Sequence, residues 1–572
     1  MDFLIENFKY LTTTTQNVEQ LKKLVLQLAV QGKLTAKWRA ENPDIEPAHK
    51  LLEKIKSEKE LLIKDGKIRR EKPYSKVTVN EKAFELPIVW EWVRLVDYGI
   101  TNTGTTPSKD NPEYFGNDYP FVKPAEISLK GIKYDTEDGL TELGLQQGRL
   151  ISKNSVLMVC IGGSIGKSYF TDRDVSCNQQ INTITPLLSI SSVFLHFFLQ
   201  SVYFQKTVWS NASGATTPIV NKGKWEQIAI PMPPFDEQKE IVSTVEKIFA
   251  EIDQLHALAQ KKLTLREKAA KALFGKINNP LMGEDIQQTW QQLTTNFKTL
   301  TQSKDSIKQL RQTILQLAVQ GKLTAKWREE NPKVESANVL LEKIKAENEE
   351  IKKAYNLRNQ KPLLKISDNE IPFEIPENWN WQRLGNVFYT TSGGTPSRGN
   401  TDFWNGTIPW LKSGELTDGL ITKEPEEKIT ELGHKNSSTY LFPEETLLIA
   451  LYGATAGKLG ILKFPSTTNQ AICGFFTNKF ICTEYLFYYL WAFRSKILSD
   501  SWGQAQPNIS QDYLKKFCFA LPPFEEQLKI VEVVKQQMTL CDELEKKIEK
   551  RDSYQERIMQ AVVKQAFTTN KE

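Results

Sequence analysis

Residues 26–39 read LQLAVQGKLTAKWR, and residues 315–328 read the same fourteen letters unchanged. The offset of 289 holds far beyond this stretch. LLEKIK (51–56) returns at 340–345, and WEWVRL (90–95) faces WNWQRL (379–384). TPS (106–108) faces TPS (395–397), TELG (141–144) faces TELG (430–433), and PPFDEQ (233–238) faces PPFEEQ (522–527). The register slips briefly to 291, where GGSIGK (162–167) aligns with GATAGK (453–458) and NQQ (178–180) with NQA (469–471). The chain is a tandem duplication, and self-similarity of this kind governs every later inference about its fold.

Each half has three parts. In 18–30, Val18, Leu21, Leu24, Val25, Leu28 and Ala29 recur at the spacing of a helix, and Gly32 stands where a C-terminal cap belongs. A charged helix, LLEKIKSEKELLIK, follows the Asn42–Pro43 break. Next comes a stretch rich in Gly, Pro, Thr and aromatics, with short strands at 155–162 and 181–188 and one apolar helix over about 192–206. A long helix then starts near 236, with Ile241, Val245, Ile248, Ile252 and Leu255 at heptad spacing; Ile530, Val534, Cys541, Leu544 and Ile548 repeat it less strictly. The expected fold is mixed α/β (α+β): two globular domains separated by long antiparallel coiled-coil helices, in a tandem pseudo-twofold repeat. The expected boundaries are 1–85 (helical region and linker), 86–235 (first globule), 236–371 (central helices and linker), 372–524 (second globule) and 525–572 (C-terminal helix).

Bulk properties narrow the function. Against 69 acidic residues stand 74 basic ones, a net charge of +5 that permits a nucleic-acid partner without demanding one. The six cysteines follow no ligand or disulfide spacing, as expected of reduced thiols in the cytoplasm. The opening MDFLIENFKYL is too short and polar for a signal peptide. The apolar window 480–493 falls short of the roughly 20 residues that span a bilayer, so a buried helix is expected and no membrane.

Enzyme motifs fail on inspection. GGSIGKS (162–168) has Ile161 where a phosphate-binding loop needs Gly, and Leu459 takes the Ser/Thr place in the second copy. PPF (233–235 and 522–524) lacks the preceding Asn of adenine methyltransferases, replaced by Met232 and Leu521. Here Pro-Pro forbids helix before Phe235 and Phe524. His49, His196, His256 and His434 are isolated, so neither a metal site nor a catalytic residue is legible. KIRREK (67–72) reads as a solvated helix end.

The halves diverge unevenly: the helical letters match closely, whereas the globules keep scattered positions. Identical surfaces suit two copies of one partner; Gln31, Lys33, Lys37, Trp38 and Arg39, with Gln320, Lys322, Lys326, Trp327 and Arg328, are the candidates, against the plainer reading that identical helices pack identically.

The duplication, the LAVQGKLTxxW phrase, the G-x-T-P-S opening of each globule and the PPFxEQ lead into each heptad helix together resemble the specificity subunit of type I restriction–modification enzymes. The resemblance spans the chain. It implies that each globule is a target recognition domain reading one half of a bipartite site in double-stranded DNA. It implies that the helices fix the gap and bind two modification (methyltransferase) subunits, with restriction (endonuclease) subunits joining the complex. It further implies a non-catalytic chain that holds no cofactor; S-adenosylmethionine, ATP and Mg would belong to the partners.

Candidate DNA contacts follow from chemistry. Asn178, Gln179 and Gln180, with Asn469 and Gln470, either pair with adenine edges or satisfy a turn. Thr106, Ser108, Thr395 and Ser397 are small donors in a Pro-held loop, suited to phosphates; Lys123, Lys167, Lys412 and Lys458 suit the backbone charge. Thr217 and Asn221, opposite Gln506 and Asn508, form a diverged polar loop where part of the specificity is expected. Two rivals stay open: a DNA-modifying or DNA-cleaving enzyme with unrecognised motifs, and a coiled-coil scaffold without a DNA role.

Overall fold

The computed structural model describes residues 12–70, 73–134, 139–214, 216–278, 286–357, 359–360, 362–501 and 508–568. Its contacts divide the chain into two units, Met1–Lys262 with Asp552–Glu572, and Leu263–Arg551.

In the first unit the helix Thr15–Val30 is capped by the Thr14 hydroxyl, which accepts from the Asn17 N–H. It buries Val18, Leu21, Leu24, Val25 and Ala29, as the spacing predicts. Gly32 ends it with φ 68°, and the Lys33 N–H reaches back to the Leu28 carbonyl at 3.0 Å. That positive φ is the reason for glycine there. The charged helix is Ala48–Lys64. The globule holds a four-stranded antiparallel sheet ordered Gly99–Thr103, Ile181–Pro186, Val156–Val159, Ser168–Phe170, and a separate antiparallel pair joins Glu91–Arg94 to Ala229–Met232. One apolar helix was expected over 192–206. Two form instead, Ser192–Gln200 and Val202–Ser210, because Ser201 caps the second by accepting from the Phe204 N–H.

The second unit repeats the plan with Lys304–Val319, Ala337–Ala354 and the pair Asn380–Arg383 with Cys518–Leu521. Its sheet has five strands, gaining Gly419–Ile421 parallel to Leu459–Leu462 at one edge. The apolar window forms the buried helix Thr483–Ala492. Among the described residues no helix is long and apolar enough to cross a membrane.

The long helices begin where Pro-Pro permits, at Phe235–Asn278 and Phe524–Thr568. The heptad residues Ile241, Val245, Ile248 and Ile252 are buried, but in the same core as the globule's own aromatics and the helix Thr15–Val30. Lys22 bridges to Asp253 at 2.7 Å, and the matching positions Arg311 and Asp542 pair at 2.6 Å. Within the second unit, Cys541 and Ile548 cluster with Leu310, Ile314, Ala270 and Phe274.

The repeated stretch has an internal explanation. Glu237, of PPFDEQ, is fully buried and accepts from the Thr35 hydroxyl (2.6 Å), the Arg39 guanidinium (2.8 Å) and the Trp90 indole (2.7 Å). Arg39 also donates to the Gly32 carbonyl at 2.5 Å. Glu526 is held by the matching residues, Thr324 (2.7 Å), Arg328 (3.0 Å) and Trp379 (2.8 Å). A carboxylate without water needs such a set of charged and neutral donors. Gln31, Gln320, Arg39 and Arg328 are therefore not the surface letters the sequence suggested. Gln31 and Gln320 are buried, and both arginines serve the clamp.

WEWVRL has a second fixed letter. Arg94 grips Glu81 at 2.6 Å and donates to the Ser75 and Gln227 carbonyls, tying residues 74–82 onto the globule. The Arg94 guanidinium, helped by the Thr78 N–H, holds Glu81 down at about 2. In the second unit the Ser367 N–H and hydroxyl, with Arg383, hold Glu370 at about 2.

Candidate nucleic-acid interface

The G-x-T-P-S loop (104–108 and 393–397) and the N-Q turn lie far apart in sequence and meet in both units. Gly104 comes so close to the strand end that a Cβ would overlap the Cys177 and Asn178 carbonyl oxygens, and Gly393 stands likewise against Thr468 and Asn469. Glycine is needed there for this approach. The Thr105 N–H donates to the Cys177 carbonyl (2.9 Å) and the Gly394 N–H to the Thr468 carbonyl (2.9 Å). Pro107 and Pro396 are buried behind the loop. As a result the Thr106 hydroxyl donates to the Gln179 side-chain oxygen, and Thr395 to that of Gln470. Both glutamines are exposed. The threonine fixes the amide plane and leaves Nε2 and a lone pair of Oε1 for a ligand. Asn178 turns inward, its Oδ1 accepting from the Gln180 N–H at 3.1 Å.

Two further segments adjoin this turn. The Cys160 N–H donates to the Gln180 carbonyl (2.8 Å) and the Gly162 N–H to the Pro218 carbonyl (2.9 Å); Leu451 with Ala471 (2.7 Å) repeats the first link. Ile161 bridges Ile219, and Tyr452 bridges Asn508. GGSIGK and GATAGK are hairpin turns, each with two glycines at positive φ (83° and 88°; 80° and 78°), after which Lys167 stands exposed and Lys458 half-buried.

Several candidates are already engaged. Ser108 shares hydrogen bonds with Asp110, and the Ser397 carbonyl accepts from the Trp404 indole at 3.1 Å. Asn221 caps the helix Lys222–Glu226 by accepting from the Lys224 N–H, as Ser510 caps Gln511–Lys516. Its Oδ1 is thus spent on the backbone. Lys123 and Lys412 each open a 3₁₀ turn through a main-chain N–H to Glu126 and Glu415. The Lys412 ammonium pairs with Glu427 at 2.7 Å, and that carboxylate raises its pKa. Thr217 is exposed, and Gln506 lies outside the described residues.

Sequence reasoning missed Arg398, whose guanidinium lies 3.9 Å from the Trp404 ring centre and 4.9 Å from that of Trp410. Its signal was available as three letters that differ between the aligned copies. On the helical side, Lys33, Lys37, Lys322 and Lys326 are exposed and Trp38 and Trp327 half-buried; the clamps do not use them.

The family model for the type I restriction modification DNA specificity domain matches residues 87–265 and again 376–551, more than half of the chain. The chain belongs to this family. It is similar to the EcoEI specificity subunit of Escherichia coli, with 27% identity over 96% of this chain and 94% of that one. The EcoAI specificity subunit of Escherichia coli shares 27% identity over 92% and 90%. The crystal structure of the HsdS subunit from Thermoanaerobacter tengcongensis covers 86% of this chain and 100% of its own at 17% identity and a TM-score of 0.45. The expected mixed α/β fold, with a domain of this family in each half, agrees with the family match.

Proposed function

We propose that this chain is the DNA-reading subunit of a cytoplasmic type I restriction–modification complex and performs no chemistry itself. The modules 86–235 and 372–524 each read one half of a bipartite, asymmetric site in double-stranded DNA. The segments 1–85, 236–371 and 525–572 set the gap and dock two modification subunits, with Lys33, Lys37 and Trp38, and Lys322, Lys326 and Trp327, as the repeated partner surface. Restriction subunits complete the assembly, and S-adenosylmethionine, ATP and Mg are held by the partners.

One observation carries this reading. A hydroxyl-braced, exposed glutamine recurs in both units (Thr106 with Gln179, Thr395 with Gln470) while the letters around it diverge. Glutamine pairs with adenine edges, and a braced amide does so without first losing rotamer freedom. Lys167 and Lys458 supply the positioning contacts to phosphate. The test is a map of methylated bases in cells making this chain with its methyltransferase, before and after Gln179→Ala. A gapped two-part motif that changes in one part supports the reading. A continuous motif, or equal weakening on every sequence, overturns it.

A further inference from the structure

The two recognition surfaces differ beside the glutamine, three residues beyond Thr395. Arg398 lies over Trp404, and Trp404 meets Trp410 edge-on, with centres 5.1 Å apart and planes at 89°. Both indoles are tied to the loop that carries the arginine. Trp410 donates to the Gly394 carbonyl (2.9 Å) and Trp404 to the Ser397 carbonyl (3.1 Å). The strand bearing Trp410 runs parallel to Thr467–Thr468, and the Asn469 N–H donates to the Leu411 carbonyl at 2.9 Å. Arg398 and Gln470 are therefore built on the same strand pair. One guanidinium nitrogen pairs with Glu427 at 2.6 Å, and Lys412 takes the other carboxylate oxygen at 2.7 Å. The arginine side chain is still 55% exposed.

We propose that Arg398 is a specificity-determining residue that reads a guanine in the half-site of the second module. This rests on the function proposed above and adds the base it selects. A planar fork of donors matches the O6 and N7 acceptors of guanine in the major groove. Stacking on indole holds such a fork in one plane, which a phosphate contact does not require. Glu427 also offsets one of the two nearby cations, which weakens attraction to phosphate and leaves in-plane donors for a base edge. In the first module the aligned residues are Lys109, Phe115 and Phe121, so the fork and its indole seat are both missing. Guanine reading by this device belongs to one half-site only.

The test uses the full complex of this chain with its methyltransferase partner and duplexes carrying 7-deazaguanine in place of each guanine of the mapped motif. Removal of N7 at one position is expected to lower methylation by the unaltered complex roughly 10-fold or more. That sensitivity is expected to vanish in Arg398→Lys, which keeps the charge but loses the planar fork and its stacking, and the variant accepts other bases at that position alone. Three outcomes overturn the proposal. They are no position sensitive to 7-deazaguanine, a sensitivity unchanged in Arg398→Lys, or a variant slowed equally on all sequences, as loss of a phosphate contact would produce. If the unaltered complex gives no gapped motif at all, the proposed function itself has failed, and the two failures are thereby told apart.

Discussion

Around Glu237 and Glu526 the two halves agree residue for residue. Around Gln179 and Gln470 the braced glutamine and its backbone frame are shared, but Lys109, Phe115 and Phe121 of one copy answer to Arg398, Trp404 and Trp410 of the other. A buried carboxylate tolerates almost no variation, because each lost donor leaves charge stranded in the interior. An exposed amide beside water can change its neighbours cheaply, so those neighbours are free to encode a different ligand. Conservation between two copies in one chain thus separates the architecture from the message.

The contrast can be broken at its rigid end. Arg39→Ala leaves Glu237 buried with only neutral donors, and about 3–5 kcal/mol of stability in the first unit should be lost. Hydrogen exchange should report faster opening across Ala48–Lys64 and little change across Ala337–Ala354. Equal loosening of both would show that the clamps do not act by halves.

Acid should separate the halves next. Burial pushes His196 down to about 4, and Phe487 stands at the aligned position of the second unit. With the folded value below an unfolded value near 6.5, the stability linked to neutral His196 is complete above pH 6.5 and is lost as pH falls toward 4. Moving from pH 7.5 to 5 should cost the first unit about 2 kcal/mol, and His196→Phe should flatten that slope. An unchanged pH–stability curve in the variant would remove His196 from the account. Glu81 and Glu370, both held near 2, add a loss below about pH 4.5 that the two units share.

At the readable end, Gln179→Ala and Gln470→Ala should each relax one base position by about 1–3 kcal/mol, in opposite half-sites. Comparison of the two methylation motifs checks this, and a change in the same half for both would contradict one reader per module. The smallest effect is expected from Lys167→Ala or Lys458→Ala. Binding should weaken evenly over sequences, with the salt slope falling by about one per lost phosphate contact.

Much of this was legible in the letters. Helix periodicity, Gly32 as a cap and Pro-Pro before Phe235 each state a local rule, and local rules survive into the fold. The break at Ser201 was hidden inside an apolar run where a serine side chain competes for the backbone. The Thr106–Gln179 contact was half legible: both residues were candidates, but their meeting depends on a sheet register that sequence spacing does not reveal. Gln31 and Arg39 misled because polarity was taken for exposure. Arg39 is charged because it faces a buried charge, and its partner lies 198 residues away. Arg398 went unnoticed because its meaning comes from two indoles that fold beneath it.

The clamp also closes each module at both of its ends. Thr35, Arg39 and Trp90 lie before the first module's sheet, and Glu237 follows directly after it; Thr324, Arg328, Trp379 and Glu526 bracket the second in the same order. An insert spliced between tryptophan and glutamate keeps the clamp, and must also fill the core that the first module shares with the helix Thr15–Val30. A chain carrying one module twice, or a foreign module in either place, is expected to close both ends with the side chains already present, so that the new contacts to be matched are those of the shared core.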